Sequence, residues 1–182
     1  MSAESDTSAH GIESRIGWPI GSIAGGAFGA VAFGLVLWML EPAIIEEAIP
    51  EFYGLNADPV VGWALHLVHG AIIGLGFGML VTRGPILGII RTPTETDALS
   101  RTGITLRLVG AGGVYGFAIW AILPMIALPV IGRLFGVDAT TAFLGAAVET
   151  LVAHVLYGLV LGLVFALTID LRDRPTESPI ED

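Results

Sequence analysis

Two histidines in matching sequence contexts are the residues of this chain best suited to chemistry. His66 begins the stretch "HLVHGAIIGLGF", and His154 begins "HVLYGLVLGLVF". Ionisable side chains inside apolar segments are costly, so each raises a functional hypothesis. One hypothesis is cofactor binding, in which the two imidazoles on glycine-bearing helices are axial ligands of a b-type haem held between helices; our main expectation is that no cofactor is bound. The simpler alternative, which we favour, is that each neutral imidazole hydrogen-bonds a backbone carbonyl or a hydroxyl across a helix interface, with Thr150, Tyr115 and Tyr157 as candidate partners.

A metal site or a proton pathway is a further alternative for the same region. His69 follows His66 by one helical turn, a spacing suited to joint metal ligation, and Glu149 precedes His154 on the last apolar segment. No carboxylate lies on the turn of His66 and His69, however. Glu149 is expected at the membrane interface, where a carboxylate is tolerated.

The chain lacks the motifs of common enzyme classes. It contains no P-loop, HExxH or GxSxG pattern, no cysteine, and no polar segment long enough for a catalytic domain. We therefore expect a protein that is not an enzyme.

The apolar segments that carry these histidines are long enough to cross a bilayer. Of 182 residues, 54% are hydrophobic and 14% charged, and the mean hydropathy is +0.80. A span needs about 20 apolar residues. Residues 18–40, 60–82, 108–131 and 142–169 meet this length, and only the last contains a charge. The sequence predicts an all-α polytopic protein with four transmembrane helices in the lipid bilayer.

The arginines predict the orientation of these spans. Seven of the eight basic residues fall before the first span, between the second and third, or after the fourth, whereas residues 41–58 are acidic. By the positive-inside rule both termini are cytoplasmic and the protein is a multi-pass protein of the cell membrane. Only Arg133 is expected on the outer side.

The charge balance bears on partners and on source. The net charge is −9 and lysine is absent. A dense carboxylate surface predicts a halophilic source. Nucleic acid is excluded as a partner because no basic stripe could neutralise its phosphates.

The spans form two tandem repeats. "WMLEPAIIEEAIPEFYGLNA" (38–57) aligns with "WAILPMIALPVIGRLFGVDA" (120–139), and the two histidine segments align after a short insertion. The predicted organisation is an acidic cytoplasmic tail, a two-helix repeat, a cytoplasmic linker, a second repeat in parallel orientation and a second acidic tail: residues 1–17, 18–82, 83–107, 108–169 and 170–182. A pseudo-twofold axis along the membrane normal is expected, with the two histidine-bearing spans near it.

Small residues at four-residue spacing accompany both histidines. Such stripes let transmembrane helices approach closely, and here they predict helix packing through Gly70, Gly74, Gly78, Gly158 and Gly162. Residues 41–58 are expected to form either a short amphipathic helix on the outer surface or an irregular loop interrupted by Pro50.

The motif "H-x-x-[HY]-G-x-x-x-G-L", with a Trp and a Pro at the end of the preceding helix, resembles an uncharacterised family of four-span membrane proteins common in haloarchaea. The resemblance covers about residues 17–170. It implies the architecture and no activity or cofactor. We expect a protein that acts by helix packing, as a homo-oligomer or as an accessory subunit of a larger membrane complex.

Overall fold

The computed structural model describes residues 17–90, 97–127, 129, 130, 133 and 147–169. Most of these residues are helical, and no strand occurs in them. In chain order the helices are α1 (Trp18–Leu40), α2 (Ile49–Phe52), α3 (Pro59–Val81), α4 (Gly84–Ile90), α5 (Asp97–Ile122) and α6 (Ala147–Thr168). Two π-helical turns, Ile44–Ala48 and Leu123–Ala127, precede α2 and follow α5. The predicted all-α fold is confirmed.

The four long helices have the length and apolarity of membrane spans. Each carries large apolar side chains on its outer face: Phe28 in α1 is 61% exposed, Ile72 in α3 63%, Val114 in α5 70% and Leu167 in α6 74%. Such an apolar surface is unfavourable in water but not in contact with lipid. The chain is a multi-pass integral membrane protein.

Local chemistry explains where α1 and α3 begin. Gly17, which precedes α1, has φ 76°, a conformation that favours glycine. Asp58 caps α3, because its Oδ1 accepts hydrogen bonds from the backbone N–H groups of Val60 (2.8 Å) and Val61 (3.0 Å). Pro59 occupies the first turn, where its missing N–H costs nothing.

Helix α5, which contains the third span, differs from the prediction. It begins at Asp97 rather than at residue 108, so part of the predicted linker is helical. Residues 97–107 contain no proline and continue the helix as a polar extension, in which Arg107 donates to the carbonyl oxygen of Ile90 (3.1 Å). The other described spans, including the beginning of the second and the end of the fourth, agree with the prediction within a few residues. The predicted beginning of the fourth, at residue 142, and both terminal tails up to residue 16 and from residue 170 lie outside the described residues.

Glycines bring the helices of each hairpin into contact. A Cβ on Gly26 of α1 would meet the carbonyl oxygen of Gly70 in α3, and a Cβ on Gly112 of α5 would meet that of Gly158 in α6. Among the predicted packing glycines, the remaining three also face the partner helix: Gly74 and Gly78 face Ser22 of α1, and Gly162 faces Leu108 of α5. On α3 and α6, the repeat alignment pairs Gly70 with Gly158 and Gly74 with Gly162, so these packing positions are shared by the two hairpins.

The hairpins join on one side more closely than on the other. The backbone of α1 runs close to both α3 and α6, and α6 also packs against α5. In the described residues, the backbones of α3 and α5 make no comparable contact. We expected α3 and α6 near the pseudo-twofold axis; instead α1 and α6 form the central pair.

Residues 41–58 fold as a helical cap on one end of the bundle, which we call the acidic end. Ile44, Ile45 and Pro50 are buried against the bundle. The cap is held by a hydrogen bond from Trp38 Nε1 to Glu46 Oε1 (3.0 Å) and one from Asp58 N–H to the Glu46 carbonyl (3.0 Å). Of the two alternatives for this segment, the structure shows the helical one, since Pro50 lies in the first turn of α2.

Candidate functional site

A cavity of about 370 Å³ lies in the acidic half of the bundle, between its helices and the cap. Its wall is mostly apolar. Among the described residues that line it, every polar side chain is uncharged or a histidine: Tyr53, His66, His69, His154 and Tyr157. Small-molecule sites are typically cavities of about 300–1,000 Å³ with apolar walls and a few placed polar groups. The cavity is therefore the candidate site in the described part of the chain.

His66 is fixed across the interface between α3 and α1. Its side chain is 8% exposed, and its Nε2 lies 2.9 Å from the carbonyl oxygen of Ala30. Gly34 of α1 makes room for it, because a Cβ there would lie 3.2 Å from His66 Cδ2 and would clash with the Trp63 ring. His66 makes the interhelical bond that the packing hypothesis expects.

His154 makes a different hydrogen bond. Its Nδ1 lies 2.6 Å from the carbonyl oxygen of Thr150, one turn earlier in α6 itself. Thr150 was an expected partner, but it contributes its backbone carbonyl here. The two histidines that the alignment pairs are therefore anchored in unlike ways, one between helices and one within a helix.

Phe33 of α1 brings the two imidazoles into one site. Its ring centroid lies 5.0 Å from that of His66 and 4.5 Å from that of His154. Both histidines also line the cavity. The structure thus places them together, as a shared site requires, and adds a phenyl ring that the sequence offered no signal to select.

The anchoring bonds define the protonation of each ring. A carbonyl oxygen only accepts hydrogen bonds, so His66 Nε2 and His154 Nδ1 must carry the donating hydrogen. Neither Asp nor Glu is among the described residues that line the cavity, which favours neutral imidazoles there. His66 Nδ1 and His154 Nε2 then each hold a lone pair, and within the described chain neither makes a protein hydrogen bond.

His69 belongs to the rim of the cavity. Its Nε2 lies 2.5 Å from Tyr53 Oη of the cap, and the two rings stack with centroids 5.6 Å apart. Glu149 does not line the cavity. No group of three or more potential metal ligands occurs in the described residues, so the structure does not assemble the set His66, His69, His154 and Glu149.

The two expected tyrosine partners bond to α3 instead of to a histidine. Tyr157 Oη of α6 donates to the carbonyl oxygen of Gly70 (2.7 Å), and Tyr115 Oη of α5 donates to that of Ile73 (2.8 Å). The Tyr115 bond joins α5 to α3, whose backbones lack close contact, and the Tyr157 bond joins α6 to α3. The repeat alignment pairs Tyr157 with His69, and this pairing is the one sequence feature that marked Tyr157 as a candidate residue.

Comparisons of the chain with protein-family models, with curated protein sequences and with solved structures gave no match. The candidate function is therefore argued from the geometry of the cavity.

Proposed function

We propose that this integral membrane protein is not an enzyme and that its cavity binds a small lipid-soluble molecule. The observation that carries the proposal is an apolar cavity of about 370 Å³ whose wall holds two imidazole nitrogens that have no partner among the described residues. A buried acceptor that remains unpaired is unfavourable, typically by about 1–3 kcal/mol. A bound molecule that pairs with these atoms removes that cost.

Helix packing explains the role of only one of the two nitrogens in each imidazole ring. The N–H of His66 holds α3 to α1, and the N–H of His154 fixes its own ring orientation. Packing requires nothing of the second nitrogen of either ring. A role as a homo-oligomer or an accessory subunit is compatible with the cavity, because most exposed apolar side chains, such as Phe28, Val114 and Leu167, do not line it.

The route into the cavity lies between α3 and α5. Ile72 and Ile73 of α3 and Ile119 and Leu123 of α5 line the cavity, and Ile72 and Leu123 are also exposed on the lipid-facing surface. With the acidic end outside, as the arginines predict, a molecule dissolved in the outer leaflet reaches the cavity sideways. The hydrogen bonds from Tyr115 and Tyr157 to α3 close the opening on the side away from the acidic end.

A b-type haem is the second candidate. The observation that favours it is the pair of unprotonated nitrogens, each opposite an N–H that a carbonyl orients, as in histidines that bind metals. Two observations oppose it. Phe33 contacts both imidazoles, where a shared macrocycle needs space, and no arginine or lysine among the described lining residues could pair with haem propionates.

Mild extraction from native membranes tests both candidates on one sample. We expect mass spectrometry of the intact protein to show a bound small molecule, and organic extraction to release it. The Ile119→Trp variant, which fills the cavity, should lose the molecule. The matched Val114→Trp variant, on the 70%-exposed outer face of the same helix, should retain it.

The visible spectrum of the same sample distinguishes a haem from another ligand. A reducible Soret band that disappears in His66→Ala and His154→Ala would replace the proposed ligand by haem. A protein that carries no molecule, and takes none up from an extract of its own membranes, would contradict ligand binding altogether.

A further inference from the structure

We infer, resting on the proposed function, that the cavity selects an uncharged molecule with a hydroxyl group, which donates its hydrogen bond to His66 Nδ1 or His154 Nε2. An alkyl phenol or a long-chain alcohol represents this chemical class. The inference concerns which polar group the site recognises, and three features of the cavity support it.

The first feature is that His66 and His154, the two histidines in contact with Phe33, each present only an acceptor to the cavity. The ring hydrogens of His66 and His154 are already donated to the carbonyl oxygens of Ala30 and Thr150. A ketone, ether or ester offers only acceptors and would leave both nitrogens unpaired. A hydroxyl group supplies the missing donor.

The second feature is that the rings cannot easily reverse these roles. His66 is 8% exposed and lies against Phe33 and Trp63, with ring centroids 5.0 and 6.0 Å away. A flip of the imidazole would remove the N–H from the Ala30 carbonyl and leave that bond unmade. The acceptor at Nδ1 is therefore held in place by the same contact that packs α3 on α1.

The third feature is the absence of charge around the two rings. No arginine, lysine, aspartate or glutamate is present among the lining residues in the described part of the chain. A carboxylate or phosphate would enter without a counter-charge and would face the imidazole lone pairs, which is unfavourable in apolar surroundings. An uncharged head group avoids this cost.

Three probes of similar size test the inference on the full chain in detergent micelles. Para-octylphenol has a hydroxyl donor, para-octylanisole replaces its hydrogen by a methyl group, and para-octylbenzoate carries a charge. Titration calorimetry, corrected with protein-free micelles, should show octylphenol binding about tenfold or more tightly than the other two, which is the effect of one good hydrogen bond.

Paired substitutions separate recognition from packing. In the double variant His66→Gln and His154→Asn, each amide can place an N–H where the imidazole N–H was, so the bonds to the Ala30 and Thr150 carbonyls are kept. The acceptors at His66 Nδ1 and His154 Nε2 are lost, and the amide oxygens that replace them lie on the Cδ2 side of the former rings, away from a hydroxyl placed for those nitrogens. We expect this variant to keep the wild-type unfolding midpoint and to bind octylphenol no better than octylanisole. The double alanine variant should lower the midpoint as well.

Nitrogen NMR of histidine-labelled protein reads the acceptor atoms themselves. Octylphenol should shift the unprotonated nitrogen of at least one of the two imidazoles, and octylanisole should not. Equal affinities for phenol and anisole, or a preference for benzoate, would overturn the hydroxyl inference and leave ligand binding standing. A response of the same nitrogens to Zn²⁺ but not to octylphenol would overturn it in favour of a metal. Binding of no probe and of no native molecule would overturn both proposals.

Discussion

Each imidazole of the site has one nitrogen that must donate a hydrogen bond within the apolar bundle and one that faces the cavity as an acceptor. A polar ring in an apolar bundle must satisfy its donor, and a helix carbonyl in reach does so at 2.9 Å for His66 and at 2.6 Å for His154. Because the donor is satisfied from the backbone, the acceptor stays available to the cavity. The same two bonds therefore stabilise the fold and set the chemistry of the site.

We expect the hydroxyl of Tyr157 to stabilise the fold. Tyr157→Phe removes the buried hydrogen bond to the Gly70 carbonyl and should lower the free energy of unfolding by about 0.5–1.5 kcal/mol, the usual range for interhelical bonds in membranes. Denaturation in a mixed-micelle SDS titration measures this.

Tyr53→Phe is the matched control for that change. Its hydroxyl bonds to His69 at an exposed position, where water replaces the lost partner, so the effect should be smaller. If the two variants unfold alike, the Tyr157 bond does not hold α6 to α3.

The two histidines of the site could be predicted from the sequence, whereas their hydrogen-bond partners could not. The selection of His66 and His154 followed from the rarity of ionisable residues in apolar segments, and the structure places the two rings on one phenylalanine. The sequence could not identify their partners, because backbone carbonyls are present at every residue and only the packing decides which of them a ring meets. Phe33 was missed for a similar reason, since one apolar ring in a span has no distinguishing pattern.

At the scale of the helix, glycine spacing decides how closely two elements approach. Gly112 of α5 and Gly158 of α6 face each other so tightly that either Cβ would meet the opposite carbonyl oxygen. Gly110, two residues earlier on the same helix, has no neighbouring atom within 4 Å of where a Cβ would lie. The two positions form a natural matched pair.

Alanine at these two positions should have opposite consequences. Gly112→Ala should destabilise the protein by about 1–3 kcal/mol, the usual cost of overpacking, because the backbones of α5 and α6 must separate. Gly110→Ala should leave stability unchanged or raise it slightly, since alanine favours the helix. Thermal unfolding in detergent measures both, and equal destabilisation would argue against a close α5–α6 interface.

Helix boundaries were predictable where membrane composition ends abruptly, as at Leu40, and less so where a polar helix continues. The beginning of α5 at Asp97 is such a case, because hydropathy marks the membrane-crossing part of a helix and not its water-exposed extension. The π-helical turns at Ile44–Ala48 and Leu123–Ala127 lie beyond the ends of α1 and α5, and hydropathy gives no signal for them.

At the scale of the whole molecule, orientation remains a prediction from the arginines, and the absence of cysteine makes it simple to test. Asn56→Cys at the acidic end and Gly84→Cys at the other end introduce single thiols at exposed positions. A membrane-impermeant maleimide should label the first in intact cells and the second only after lysis. The reverse pattern would place the cavity in the inner leaflet.

The repeat explains the shared register of the two hairpins but not the way they join. Sequence alignment pairs α1 with α5 and α3 with α6, and an exact pseudo-twofold would make the contacts of α1 with α6 and of α3 with α5 alike. In the structure the backbones of α1 and α6 are in close contact, whereas α5 reaches α3 through side chains such as Tyr115, which donates to the Ile73 carbonyl. The cavity opens where that symmetry fails, which a repeat pattern cannot indicate.

The unlike anchoring of the two histidines also separates them in the order of assembly. The bond from His154 to Thr150 joins residues four apart, so it can form as soon as α6 is a helix in the bilayer. The bond from His66 to Ala30 joins residues 36 apart and exists only after α1 and α3 have met. One ring is oriented at the stage of the single inserted helix, whereas the other is oriented by hairpin formation, and the paired site is complete only when Phe33 has joined the two.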